Sequence, residues 1–342
     1  MIPKVMIILG SISDIKVAEK AVEVLEKLEI PYSLKIASAH RTPDLVRELV
    51  EQGTHGGIDV FIGIAGLAAH LPGIIAAHTS KPVIGVPVDV NFGGLDALYS
   101  EVQMHYPSPV ATVGINRGDN AAILAGQILA LNDLKVAENI LKLREEYVGK
   151  VFDSNEEIVQ EGNFIVNDFL KVNNLKIEDI PLEEHKEFDY DSTVAILVDS
   201  HVDLVIAKKI GVILDRLKIS HDIEVICPVR EPVKFNQYVR GMKNAKLFIG
   251  ISSRSAIVTG AITSLTEKPV IGVPCKDELG YNYLLTMVNM PPGVPVATVG
   301  INKGKNAAIL AGQILAIGDS TVKDNLEKVK HKKSIFSDNY GN

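Results

Sequence analysis

Residues 109–130 read PVATVGINRGDNAAILAGQILA, and residues 295–316 read PVATVGINKGKNAAILAGQILA. Only Arg117/Lys303 and Asp119/Lys305 differ between them. Upstream of each stretch stands KPVIGVP, at 81–87 and again at 268–274. Self-similarity of this length means two copies of one domain in tandem. VATVGI is a short β-branched run, and 120–131 carries apolar residues at helical spacing. The repeat therefore ends in a strand followed by a helix.

Working outward through the first copy, the same alternation continues. KVMIIL (4–9), SLKIAS (33–38), DVFIGIAG (59–66) and PVIGVPV (82–88) read as strands. Residues 17–28, 44–52, 70–78 and 95–102 read as helices. Strands that are nearly continuous in apolar residues, alternating with helices, predict a parallel sheet covered on both faces. The expected fold is α/β, a three-layer flavodoxin-like or Rossmann-like sandwich, duplicated. Domains are expected over 1–157 and 193–342, with a linker at 158–192. Residues 134–150 (LKVAENILKLREEYVGK) extend the first domain as a helix, EEHKEFDYDS is polar and acidic, and FIVNDFLKV has some helical periodicity.

The 342 residues suffice for two such domains, each with its own core. A formal charge of −7 without a basic run argues against a nucleic-acid partner. Cys227 and Cys275 stand alone, without disulfide or zinc spacing, and fit a reducing compartment. The apolar N-terminus is short and reads as a strand rather than a signal peptide. No apolar run is long enough to span a membrane, so a cytoplasmic compartment is expected by elimination.

In open α/β sheets, ligands sit beyond the carboxyl ends of the strands. The first copy places three unusual loops there: Gly10-Ser11-Ile12-Ser13-Asp14, Ser38-Ala39-His40-Arg41-Thr42-Pro43, and Ala65-Gly66-Leu67-Ala68-Ala69-His70. Hydroxyls beside helix N-termini can hold an anion. Each loop also has a plainer reading. Ser13 and Asp14 can cap a helix, as can Thr42 ahead of Pro43. Arg41 can be solvated, and either histidine can bond a backbone carbonyl. The second copy is an internal control. Aligned by the repeat, Asp199 to Asp203 stand opposite Gly10 to Asp14, Val229 opposite His40, and Ile257 opposite His70. A similar scaffold forms without either ring, which weakens a purely structural role for both.

GSISD, SAHRTP, AAHLPG, VIGVPV, GLDALYSEVQM and PVATVGI, in this order, resemble the N5-carboxyaminoimidazole ribonucleotide mutase (PurE) family of purine biosynthesis. The resemblance covers residues 3–148; the second copy shares it mainly in its last half. It implies interconversion of N5-carboxyaminoimidazole ribonucleotide and 4-carboxy-5-aminoimidazole ribonucleotide, with no cofactor. It makes His40 the acid–base and sets Gly10, Ser11, Ser13, Asp14 and Arg41 around the ribose 5′-phosphate. Ser38 and Ala39 would shape the pocket, and His70 with Ala65, Gly66, Leu67 and Ala68 would lie by the imidazole and migrating carboxyl group. It also implies a homo-oligomer, here four tandem chains in a pseudo-octamer, with the second domain serving assembly. The bacterial pattern has glycines where Ile64 and Leu67 stand, and its M-P-x-G-x-P stretch survives only in the second copy, as Met290 to Pro295.

The chemistry suits these residue types. A histidine, with an unperturbed pKa near ~6.5, can give a proton to an amine and later remove one from a ring carbon. An arginine fork suits phosphate, and a small apolar loop can hold carbon dioxide away from water. Alternatives are a carboxylase acting directly on aminoimidazole ribonucleotide with carbon dioxide, and a non-catalytic mononucleotide-binding protein. A flavin-binding module is disfavoured, because a flavin has no need of the SAHRTP histidine.

Overall fold

The computed structural model describes residues 2–161, 191–253, 255–276 and 283–334. The first copy runs β1 (Val5–Leu9), α1 (Ile15–Lys27), β2 (Tyr32–Ile36), α2 (Pro43–His55), β3 (Val60–Gly66) and α3 (Leu71–His78). It continues through β4 (Val83–Val88), α4 (Leu95–Val102), β5 (Ala111–Thr112), α5 (Gly118–Ala130) and α6 (Leu134–Glu161). The second runs β6 (Val194–Val198), α7 (Leu204–Leu217), β7 (His221–Val225), α8 (Pro232–Gly241), β8 (Leu247–Ser252) and α9 (Ile257–Leu265). It ends with β9 (Val270–Pro274), α10 (Leu284–Val288), β10 (Ala297–Thr298), α11 (Gly304–Leu315) and α12 (Ser320–Ser334). FIVNDFLKV and most of EEHKEFDYDS lie outside the described residues.

Local sequence explains these elements. α1 buries Val17, Ala18, Ala21, Val24 and Leu25, one stripe at helical spacing. Pro43 opens α2, where its missing N–H costs nothing. β1 and β4 are buried along their whole length, as their unbroken apolar runs require. β2 differs. It lies at the sheet edge with Leu34, Lys35 and Ile36 exposed, so both faces are not covered there.

Within each copy every pairing is parallel: β1 lies between β2 and β3, and β4 joins β3 to β5. The copies do not stay separate. β5 and β10 pair antiparallel through Thr112 and Thr298, giving one ten-stranded sheet, β2-β1-β3-β4-β5-β10-β9-β8-β6-β7. Strand β5 is shorter than the VATVGI run. Beyond it, Val113 still donates to Gly85 O at 3.0 Å, but Asn116 takes a left-handed φ of 59° and turns the chain into α5.

A pseudo-two-fold axis passes between Thr112 and Thr298. Around it Leu98 and Val102 pack on Leu284 and Val288, with Ile115 and Ile301 alongside. Two matched asparagines cross the axis. Asn120 Nδ2 donates to Pro291 O at 2.9 Å, and Gly293 N donates to Asn120 Oδ1 at 3.0 Å. In return, Asn306 Nδ2 donates to Met104 O at 3.0 Å. The final helices also reach across: α6 touches α9 through Arg144, and α12 touches α3 through Lys330.

Candidate active site

The three loops meet at the carboxyl edge of β1, β2 and β3. Gly10 donates to Ile64 O at 3.0 Å, which ties the first loop to β3. Ser11 Oγ accepts from Ser13 N at 3.3 Å, closing a 3-10 turn over Ile12–Asp14 that leads into α1. Asp14 is buried and makes no side-chain cap bond to α1, contrary to the plain capping expectation. It accepts instead from Ser13 Oγ at 3.1 Å. Burial pushes its carboxyl above the ordinary value, against the pull of the Ser13 hydroxyl and the Ser11 amide.

The second loop is held by Thr42, and not as a helix cap. Its Oγ1 accepts from Ser38 N at 3.0 Å and donates to Ser38 O at 3.3 Å, while Thr42 N donates to Ser38 O at 2.9 Å. This latch turns Ser38 to Arg41 outward. Arg41 is fixed by bonds from its Nη2 to Gly10 O at 3.2 Å and from its Nε to Ser38 Oγ at 3.4 Å. The guanidinium therefore stands over the GSISD loop with donors to spare. Ala39 is half-buried beneath it.

The third loop delivers the second ring. Ala65 and Ala69 are buried, while Leu67 and Ala68 face solvent in the single chain. Gly66 admits Val90, whose Cγ2 would stand 2.5 Å from any Cβ there. Leu67 has φ 58°, the left-handed conformation that a glycine would take without strain. Ile64 sits inside β3 in register with Leu9 and needs no such freedom. His70 occupies the N-cap of α3 without capping it. Its Nδ1 lies 2.9 Å from His40 Nε2, with ring centroids 5.0 Å apart and planes at 59°. Both rings are exposed. Among the described residues, no group of three or more His, Cys, Asp or Glu side chains converges as a metal site.

Two residues of this region were not legible in the sequence. Thr42 is the loop latch. Glu101, on α4 against β4, is fully buried with neither carboxylate oxygen hydrogen-bonded. It crosses β4 where Gly85 has no side chain: a Cβ there would lie 2.6 Å from Glu101 Oε2. Burial raises its carboxyl well above the ordinary value. Aligning the copies gives the one signal available, since Met287 stands at the matching place.

The second copy keeps the scaffold and replaces several of the loop residues. Arg230 Nη2 donates to Asp199 O at 2.5 Å, as Arg41 does to Gly10 O. Asp203 is buried like Asp14 and accepts from Ser253 Oγ at 3.0 Å. Where the first copy has Gly10, however, Asp199 puts a buried carboxyl into the loop. Exposed Val202, Val229 and Ile257 replace Ser13, His40 and His70. Burial, then the nearby Asp203 and Asp199, push the Cys275 thiol up to about 12.

The chain is thus a doubly wound α/β scaffold with a histidine pair and an arginine–serine cluster on its carboxyl edge. The AIR carboxylase family model matches residues 4–149 and 193–335. The chain belongs to that family, with two copies in tandem. A probable N5-carboxyaminoimidazole ribonucleotide mutase of Methanobrevibacter smithii is 63% identical over 97% of this chain and 99% of its own. Its counterpart in Methanothermobacter thermautotrophicus is 47% identical over 98% and 100%. The N5-carboxyaminoimidazole ribonucleotide mutase of Methanocaldococcus jannaschii is 54% identical over 45% of this chain and 96% of its own, a match to a single-copy length.

Proposed function

We infer that the chain interconverts N5-carboxyaminoimidazole ribonucleotide and 4-carboxy-5-aminoimidazole ribonucleotide in purine biosynthesis, using the first copy alone. The full-length relatives carry the reaction in their names. One observation carries the assignment to a site: the 2.9 Å contact between His40 and His70, whose rings are the groups the second copy discards.

His40 is the acid–base. The carbamate N–C bond breaks, carbon dioxide departs, and His40 supplies a proton to the exocyclic nitrogen. Carbon C4 then attacks the retained carbon dioxide, and His40 takes back the C4 proton, so one proton in balances one proton out. His70 orients the His40 ring through the shared hydrogen bond and borders the imidazole. Arg41, Ser11 and Ser13 hold the 5′-phosphate, with Gly10 leaving room and Asp14 bracing Ser13. Ser38 and Ala39 shape the pocket wall, and Ala65, Gly66, Leu67 and Ala68 face the migrating carboxyl group. Asp199 would repel a phosphate, so the second copy is non-catalytic. Direct carboxylation by carbon dioxide is not the favoured route, because the relatives named are mutases.

The test is incubation with 4-carboxy-5-aminoimidazole ribonucleotide without ATP, followed by product identification. The N5-carboxy isomer, lost in His40→Asn, is the expected product; aminoimidazole ribonucleotide and carbon dioxide alone would sink the mutase reading.

The working assembly is a cytoplasmic homo-oligomer of four tandem chains. Exposure of Leu67, Val90 and Phe92 around the site supports a covering neighbour. Light scattering should give a mass of four chains; a monomer would end this reading. Within the described residues no helix is long and apolar enough to cross a membrane.

A further inference from the structure

Helix α3 has His70 at its N-cap and Thr79 at its C-cap. The Thr79 carbonyl accepts from Lys330 Nζ of α12, at 2.7 Å. The matching residue in α6 is Arg144, and it does the same to the second copy. Arg144 Nη1 donates to Thr266 O at 2.7 Å, and its Nη2 donates to Ser264 O at 2.5 Å and Thr263 O at 3.3 Å, all at the end of α9. Each copy thus clamps the C-terminus of one helix in the other with a cation, where the helix dipole favours positive charge.

The two clamps differ in two respects. The helix Lys330 holds begins at His70, whereas the helix Arg144 holds begins at Ile257. Arg144 also has a carboxylate, Glu267, at 3.5 Å, while Ser80 occupies that place beside Thr79. Among the described residues, the other titratable or charged groups at this end of α3 are exposed His78 and the Lys81–Asp59 ion pair at 2.9 Å. With no carboxylate against it among the described residues, burial pushes the Lys330 ammonium down to about 8.

We propose that Lys330 is a positioning residue through which the non-catalytic copy sets His70 against His40. This rests on the reading of that pair as the reacting site. An eight-residue helix is a rod about 12 Å long, and its side chains shift together when one end moves. At the start of α3 Leu71 and Pro72 are buried against the sheet, so the helix moves as a packed unit, while the His70 side chain makes no cap bond to it. The Thr79 side chain ties the far end to α2 through Thr54 Oγ1 at 2.8 Å, and Lys330 ties its main chain to the second copy.

The experiment compares full-length Lys330→Met, Lys330→Arg, Arg144→Met and His70→Asn, measuring kcat and KM from neutral to alkaline pH. Lys330→Met should lower kcat about tenfold with little change in KM, since small misplacements of reacting groups are costly. Lys330→Arg should restore kcat and remove the fall expected of the wild type above about pH 8. Arg144→Met should lose thermal stability and keep its kcat, because the helix it frees carries no ring. Equal loss of kcat in Lys330→Met and Arg144→Met would overturn the proposal, as would a Lys330→Arg pH profile superimposed on the wild type. The profile decides the matter even if Lys330→Met does not fold. Full activity in His70→Asn would instead defeat the site reading itself.

Discussion

His40 Nε2 and His70 Nδ1 share one hydrogen bond, at 2.9 Å, so the tautomer of each ring dictates that of the other. If His40 donates through Nε2, His70 accepts at Nδ1 and keeps its own proton on Nε2. Protonating both facing nitrogens would set N–H against N–H. A change of protonation at one facing nitrogen therefore requires a matching change at the other.

His40→Asn should therefore lower kcat by about 10²–10⁴-fold, the usual worth of a positioned acid–base. His70→Asn, which keeps a hydrogen-bonding side chain, should cost less. Steady-state rates on both variants check the order, and a more damaging His70 change would reverse the roles.

Arg41→Lys should raise KM for the ribonucleotide at least about tenfold with a smaller effect on kcat, because a point charge cannot reproduce the fork. The variant also loses one of the bonds to Gly10 O and Ser38 Oγ. Calorimetric binding of ribose 5-phosphate measures the loss directly; unchanged affinity would remove Arg41 from the phosphate site.

Glu101→Met should stabilise the protein at neutral pH by about 1–3 kcal/mol, the penalty of an unsatisfied buried polar group. The folded-state value lies above the ordinary 4.5, so the group favours folding fully below pH 4.5. Above it the unfolded chain ionises and the folded one does not, and stability drains as pH rises towards the raised value. Met287, which packs on Gly272 in the second copy, shows that the site can take methionine. Thermal melts across pH should show a gain in Tm that widens from acid to neutral; a gain independent of pH would contradict the cause given.

Asn120→Ala should cost more stability than Asn306→Ala, about 2 kcal/mol against about 1. Asn120 uses both ends of its amide, whereas Asn306 Oδ1 has no partner. Urea unfolding of the two variants tests the inequality.

Much of this was legible beforehand, for physical reasons. Periodicity is local, so α1, β3 and β4 could be read from their own residues. The repeat told how often the fold occurs. What escaped was non-local. Nothing in VATVGI reveals that Thr112 will pair with Thr298, or that residues beyond it will turn away. The cross-over of Arg144 and Lys330 depends on where another copy's helix ends. At the site, loop position after a strand drew attention to His40, Arg41 and His70, and Val229 and Ile257 in the second copy set the two rings apart. It could not show that the Thr42 hydroxyl chooses Ser38 over a helix amide, or that Glu101 points inward, since one turn of a short helix offers both faces.

The antiparallel join at Thr112 and Thr298 makes the chain a dimer of itself. In a dimer of identical chains, a substitution appears on both sides of the axis, so each surface must serve two settings at once. Covalent fusion lifts that restriction and keeps the halves at a high effective concentration, whatever the cellular level of the protein. Pairs across this axis have separated accordingly: His40 from Val229, Glu101 from Met287, Arg144 from Lys330. A molecule built this way should turn over one substrate for every two folding units. Active-site titration therefore reads the fusion's history as a stoichiometry.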